Sequence, residues 1–190
     1  MTPAPRPAIV HSVIQVRIHG RGGQGVVTAA ELLSVAAFLD GRHAQAFPSF
    51  GSERTGAPVM AFCRIGDGPI RTREPVVHPD VLVIQDPTLL HVPGVFAGFE
   101  EGTVLVNSSR EVDVPRGRLI VVAASELARE HLGRPMPGAP MLAALAAATG
   151  AVSLDALAAA FRERFHGPVG EGNVAAMQAA FAQIEELTRA

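Results

Sequence analysis

From Val13 to Ile18 the chain reads VIQVRI, β-branched and partly alternating, and it runs straight into a glycine cluster. That pattern predicts a strand ending in a loop. Between Val26 and Leu39 the only polar positions are Thr28, Glu31 and Ser34, at i, i+3 and i+6. They predict a helix with one narrow polar stripe and apolar surface elsewhere, suited to packing on a sheet and against a partner subunit. Gly41 ends it. Ala44 to Phe47 is a short strand, Pro48 to Gly56 a loop, and Ala57 to Arg64 a further strand. Gly66-Asp67-Gly68 predicts a hairpin turn, with Pro69 to Arg73 as the return strand. Val81 to Gln85, Thr103 to Val106 and Leu119 to Ala123 are short β-branched runs without alternation, the pattern of strands buried on both faces. Asp86-Pro87 switches the first of these three into a loop.

The last third reads as helices. Ser125 caps one that runs to Leu132, with Gly133 behind it. Ala139 to Thr149 is a second, closed by Gly150. Ser153 caps a third, striped by Leu154, Leu157, Phe161 and Phe165. Asn173 caps the last, striped by Val174, Met177, Phe181 and Ile184. A Phe/Met stripe at that spacing is core packing. Strands alternate with helices early and helices dominate late. The expected fold is therefore α/β, a three-layer α/β/α arrangement with a mixed sheet, a β-hairpin insertion and a helical C-terminal third.

Length and composition narrow the partners. The 190 residues suit one domain, spanning 12–190, after a flexible Pro-rich tail at 1–11. Apolar residues at 48% against 18% charged exclude a disordered chain. The net charge of −2 points to neither nucleic acid nor an anionic membrane. The longest apolar run, Met141 to Ala148, is far below the ~20 residues that span a bilayer. All 16 basic residues are Arg, so lysine chemistry is absent. A single cysteine, Cys63, excludes a disulfide framework and any cysteine-ligated cluster built from this chain alone. One thiol suits a reducing compartment, so the expected location is the cytoplasm.

Gly20 to Gly25, GRGGQG, matches G-x-G-x-x-G and stands between a predicted strand and a predicted helix. That is the context of a dinucleotide fingerprint, in which glycines let the backbone approach a phosphate at a helix N-terminus. The acid that should hold the ribose is missing: the second strand ends in Ala46-Phe47-Pro48-Ser49. The other reading is a tight turn packed closely on a neighbour. Gly66-Asp67-Gly68 has the start of a thiamine-diphosphate motif, but the only Asn soon after it is Asn107, alone. Cys63 sits inside a strand without a base beside it and reads as a structural thiol. The seven His show no metal spacing. Phe47 to Pro58, FPSFGSERTGAP, crowds two Phe and a Glu-Arg pair into a loop. Either its aromatics serve their own core or the loop docks on a partner.

Two segments together resemble a known family. HGRGGQG (His19 to Gly25) followed by AQAFPSFGSERTGAPVMAFCRIGDGPIR (Ala44 to Arg71) is similar to the gamma subunit of 2-oxoacid:ferredoxin oxidoreductases, and the E-R-x-G-A-P form at Glu53 to Pro58 resembles the pyruvate synthase branch most. The resemblance continues through Asp80 to Asp86 and the C-terminal helix. It implies a complex that decarboxylates a 2-oxoacid on thiamine diphosphate with Mg2+, sends electrons through [4Fe–4S] clusters to ferredoxin, and passes the acyl group to coenzyme A. Those cofactors would lie on alpha, beta and delta-type partner subunits, or fusions of them. This chain would be a non-catalytic subunit, with no catalytic residues and no metal site of its own. Gly22, Gly23, Gln24 and Gly25 are then candidates for a phosphate or coenzyme A contact, and Phe50, Glu53 and Arg54 for the interface. Pro135 to Pro140 departs from the family pattern, and with no Lys any basic contact to coenzyme A falls to Arg. The rival reading is a free-standing Rossmann-type nucleotide-binding protein built on Gly20 to Gly25.

Overall fold

The computed structural model describes residues 13–49 and 56–189. The expected tail at 1–11 and the candidates Phe50, Glu53 and Arg54 lie outside the described residues. Six strands form one mixed sheet: β1 (Val13–Arg21), β2 (His43–Pro48), β3 (Pro58–Gly66), β4 (Val81–Ile84), β5 (Thr103–Asn107) and β6 (Arg118–Val122), in the order β2-β3-β1-β4-β5-β6. β3 runs antiparallel to both β2 and β1, while β1, β4, β5 and β6 are mutually parallel. The helices are α1 (Val26–Leu39), α2 (Ala124–Leu132), α3 (Gly138–Thr149), α4 (Leu154–Arg164) and α5 (Pro168–Arg189), and Pro87–His91 forms a 3₁₀ turn.

The alternation of side chains along each strand splits the interior in two. Val16 and Ile18 of β1, Cys63 of β3, Val83 of β4 and Leu105 of β5 face one core, to which all five α-helices contribute. Leu82 and Ile84, one step out of phase, face a second and smaller core with Leu89, Val95 and Phe99. The third layer is thus the 3₁₀ turn and irregular connectors. No α-helix among the described residues contributes to it. α1 buries Ala30, Leu33, Ala36 and Ala37 completely and leaves Phe38 75% exposed at its end, as an almost uniformly apolar helix must.

Three local expectations need correction. The hairpin is formed by β2 and β3, not across Gly66-Asp67-Gly68, and Pro69 to Arg73 makes no strand. The reason is that β3 is already paired along both edges, from Val13↔Gly66 with β1 and His43↔Gly66 with β2, so a returning strand has no edge to join. Ser125 lies inside α2 rather than capping it. Asn107 does that work from the end of β5: its Oδ1 accepts from the Ser125 N–H at 3.0 Å, while its Nδ2 donates to the Gln85 carbonyl and to Ser125 Oγ, each at 2.8 Å. Asn173 also lies inside its helix. α5 begins five residues earlier at Pro168, where a missing N–H costs nothing, and Asn173 Nδ2 donates back to the Val169 carbonyl. Ser153 caps α4 as expected, its Oγ accepting from Ala156 N at 3.1 Å.

Candidate functional site

The glycine cluster forms the turn between β1 and α1. Gly22 continues the β1–β3 pairing by one step, donating to the Ala57 carbonyl at 2.9 Å and accepting from Gly56 N at 3.2 Å. Gly23 (φ 95°) and Gly25 (φ 72°) take backbone conformations that a Cβ resists. Gly25 is the N-cap of α1 and supplies no side-chain cap, and the first helical bond runs from Ala29 N to the Gly25 carbonyl at 2.8 Å. The N–H groups of Val26, Val27 and Thr28 therefore lack the usual intrahelical partner, and the positive end of the helix dipole stands at the turn.

Side chains from three elements brace it. Gln24 Oε1 accepts from Arg21 N at 2.8 Å. Arg21 Nε donates to Asp86 Oδ2 at 3.1 Å, and its other nitrogens donate to the Gly56 carbonyl and to Thr88 Oγ1. Asp86 Oδ1 accepts from both Thr88 N and Thr88 Oγ1. Burial alone raises the Asp86 pKa, but the Thr88 hydrogen bonds and the Arg21 guanidinium outweigh it and hold the carboxyl below its ordinary value. Beneath the turn lies Gln85, 1% exposed, with neither amide atom hydrogen-bonded. A Cβ on Gly20 would stand 3.2 Å from its Oε1, and one on Gly138 3.8 Å from its Nε2. A cavity of about 50 Å³ adjoins the turn between Gly25, Thr28, Met136 and Phe165, enough for water only.

The structure thus brings Gly22, Gly23, Gln24 and Gly25 together on one turn. It also places there Arg21, Gln85, Asp86 and Thr88, which the spacing of the glycines could not signal. The strand that follows α1 is β2, at the sheet edge and separated from β1 by β3, so it is not the direct parallel neighbour of β1 that the second strand of a dinucleotide fold is. Phe47 serves its own fold: its ring lies 5.1 Å from that of Phe62, with the Arg64 guanidinium 5.6 Å from its centroid. Cys63 is fully buried and its thiol is pushed up to about 12 by desolvation, which removes it as a nucleophile. Among the described residues no group of three His, Cys, Asp or Glu could hold a metal.

The family model for pyruvate ferredoxin/flavodoxin oxidoreductase matches residues 15–183. The chain belongs to that family. It is 47% identical to pyruvate synthase subunit PorC of Methanothermobacter thermautotrophicus over 92% of this chain and 98% of that one. It is 45% identical to the pyruvate/ketoisovalerate oxidoreductases common subunit gamma of Thermococcus kodakarensis, over 89% and 96%. The crystal structure of pyruvate oxidoreductase subunit PORC from Thermotoga maritima superposes with a TM-score of 0.80 at 37% identity, covering 90% of this chain and 96% of that one. A 2-oxoglutarate:ferredoxin oxidoreductase from Magnetococcus marinus shares the fold at 18% identity, with a TM-score of 0.77; this chain spans 32% of it. Matches of this length to separate gamma chains identify a gamma-type subunit of an oxidoreductase complex.

Proposed function

We propose that the chain is the gamma subunit of a thiamine-diphosphate-dependent pyruvate:ferredoxin oxidoreductase, and that its own part is to dock the catalytic subunits and to present the glycine turn to coenzyme A or a partner chain. The observation that carries this reading is the end-to-end match to separate gamma chains named for pyruvate. The donor chemistry of this chain agrees. With one cysteine, itself buried, it cannot supply the ligands of a [4Fe–4S] cluster, and Asp67 is exposed and paired with Arg42 at 3.2 Å. Thiamine diphosphate, Mg2+ and the clusters belong on the partner subunits, which also hand electrons to ferredoxin. The uncapped start of α1 favours an anionic group such as a coenzyme A phosphate, and the buried Gln85 amide beneath it is a further unspent donor. Phe50, Glu53 and Arg54 lie in sequence between Ser49 and Gly56, and Gly56 N donates to the Gly22 carbonyl at the turn.

The test is reconstitution. Partner subunits assembled with this chain should reduce ferredoxin in the presence of pyruvate and coenzyme A; equal activity without the chain overturns the reading. Phe50→Ala and Arg54→Ala should weaken retention on the catalytic subunits while leaving the melting temperature of the isolated chain unchanged. Gly23→Val should impair assembly or coenzyme A kinetics, because its φ of 95° strains any side chain although the space around it is open. Calorimetry of the isolated chain with thiamine diphosphate and Mg2+ should show no saturable binding.

A further inference from the structure

All five helices stand on one face of the sheet, and the 3₁₀ turn and connectors on the other face cover mainly the β4–β6 side. Over β1 and β3 the described residues leave that second face hollow, as a cavity of about 560 Å³. That is the size of a small-ligand site. Its walls are apolar: Met60 and Phe62 of β3, Leu89 of the 3₁₀ turn, and Val92 and Val95 beyond it. Its floor is not. Arg17 and His19, two apart on β1, point into it and are 4% and 7% exposed.

The two side chains fix one another. Arg17 Nε donates to His19 Nε2 at 3.1 Å, so that ring nitrogen is an acceptor and the imidazole proton sits on Nδ1. Burial and the adjacent guanidinium drive the His19 pKa down to about 3, so the ring is neutral. Arg17 also donates to the carbonyls of Val76, Val95 and Ala97, which satisfy four of its five N–H groups in all but neutralise none of its charge. No ion pair among the described residues involves it. A guanidinium stays protonated in such a place, and a buried cation without an anion is costly. Among the described residues, the cavity therefore offers one positive charge without a counter-ion, one spare Nη1–H and the His19 Nδ1–H, at the end of a mainly apolar hollow.

We propose that this cavity is a receptor for a small organic monocarboxylate, its carboxylate against Arg17 and His19 and its short apolar body against Met60, Phe62 and Leu89. The charge count selects the class. One cation and two donors match one carboxylate. A phosphate ester or dicarboxylate would bring a second charge, and among the described lining residues Arg17 is the only cation that could meet it.

The probe is butyrate, with butyramide as its neutral isostere, titrated at matched ionic strength into the full chain and into the assembled enzyme. Butyrate should bind saturably to both and raise the melting temperature, with butyramide at least about tenfold weaker because it lacks the charge-assisted hydrogen bonds. Met60→Trp, which fills the cavity from a partly exposed strand position, should abolish butyrate binding with the fold intact. Arg17→Met should abolish it as well, and Met60→Trp keeps the test decisive if that variant unfolds. Equal binding of butyrate and butyramide overturns the proposal, as does binding that survives Met60→Trp. Binding to the isolated chain that disappears in the assembled enzyme overturns it too, in favour of a partner side chain filling the cavity.

Discussion

Arg21 Nε and Asp86 Oδ2 lie 3.1 Å apart, and this pair joins the end of β1 to the residue that caps the 3₁₀ turn. β1 and β4 are parallel neighbours, and Asp86 follows β4 by two residues, so the pair stands at their C-terminal ends, beside the glycine turn. Asp86 has two roles there. One oxygen meets Arg21 and the other accepts from Thr88 N at 3.0 Å.

Asp86→Ala should lower stability by about 1–2 kcal/mol, the usual cost of losing a capping side chain, with the partly exposed ion pair adding little. Asp86→Asn keeps an acceptor for Thr88 and should cost less. Denaturant midpoints of the two variants measure the difference. Equal losses would mean that the charge, not the cap, carries the effect.

Gly20 tests the packing of the turn against the helix it launches. A Cβ there would come 2.5 Å from Val26 Cγ2 and 3.0 Å from Gln24 Oε1. Gly20→Ala should therefore cost about 1–3 kcal/mol by overpacking, because Val26 is 3% exposed and has little room to move. Gly41→Ala, where the space is open, isolates the backbone component: it strains a φ of 75° without any clash.

The α1 helix was legible to the residue, because an apolar run between a glycine turn and Gly41 leaves no other reading. β4 and β5 were legible for a similar reason, since both their faces are buried, whereas β6, read the same way, lies at the sheet edge with Leu119 and Val121 only half-buried. Pairing was not legible. Whether Gly66-Asp67-Gly68 turns β3 back depends on which edges β3 has free, and β1, some fifty residues earlier, already holds one of them. The Asn107 cap of α2 was hidden for the same reason: Asn107 and Ser125 are eighteen residues apart, and Ser125 offered a local cap that tertiary structure overrode. At the candidate site the glycines were visible, but Arg21, Gln85, Asp86 and Thr88 carry no mutual spacing. Arg17 and His19 did leave a signal: charged or titratable residues at alternate positions of a strand that is otherwise buried.

Cys63 should be inert in the folded protein. Its thiol is fully buried in β3 and pushed up to about 12, so almost no thiolate exists at neutral pH. Iodoacetamide at pH 8 should leave native protein unmodified and label denatured protein fully. Labelling at native conditions would require opening of β3. Its rate would then fall in parallel with hydrogen exchange of the same strand.

His19 should set the acid limb of stability. Its folded pKa is about 3 against an ordinary 6.5, because burial and the Arg17 guanidinium both disfavour the imidazolium. Below pH 6.5 the unfolded chain takes up a proton that the folded chain refuses. Stability therefore falls as the pH drops from 6.5 towards 3, by up to about 1.4 kcal/mol per pH unit from this residue alone. Asp86, whose pKa is also lowered, acts in the same direction but only below its unfolded value of 3.8, so the interval between pH 4.5 and 6.5 reports His19. His19→Gln can still accept from Arg17 Nε through its amide oxygen and does not titrate. Denaturant unfolding of both proteins across that interval should give a steep slope for the native sequence and a flatter one for the variant. The other six His are common to both proteins and cancel in the difference. Identical slopes would show that His19 takes up its proton in the folded state, and the neutral ring that accepts from Arg17 would have to be abandoned.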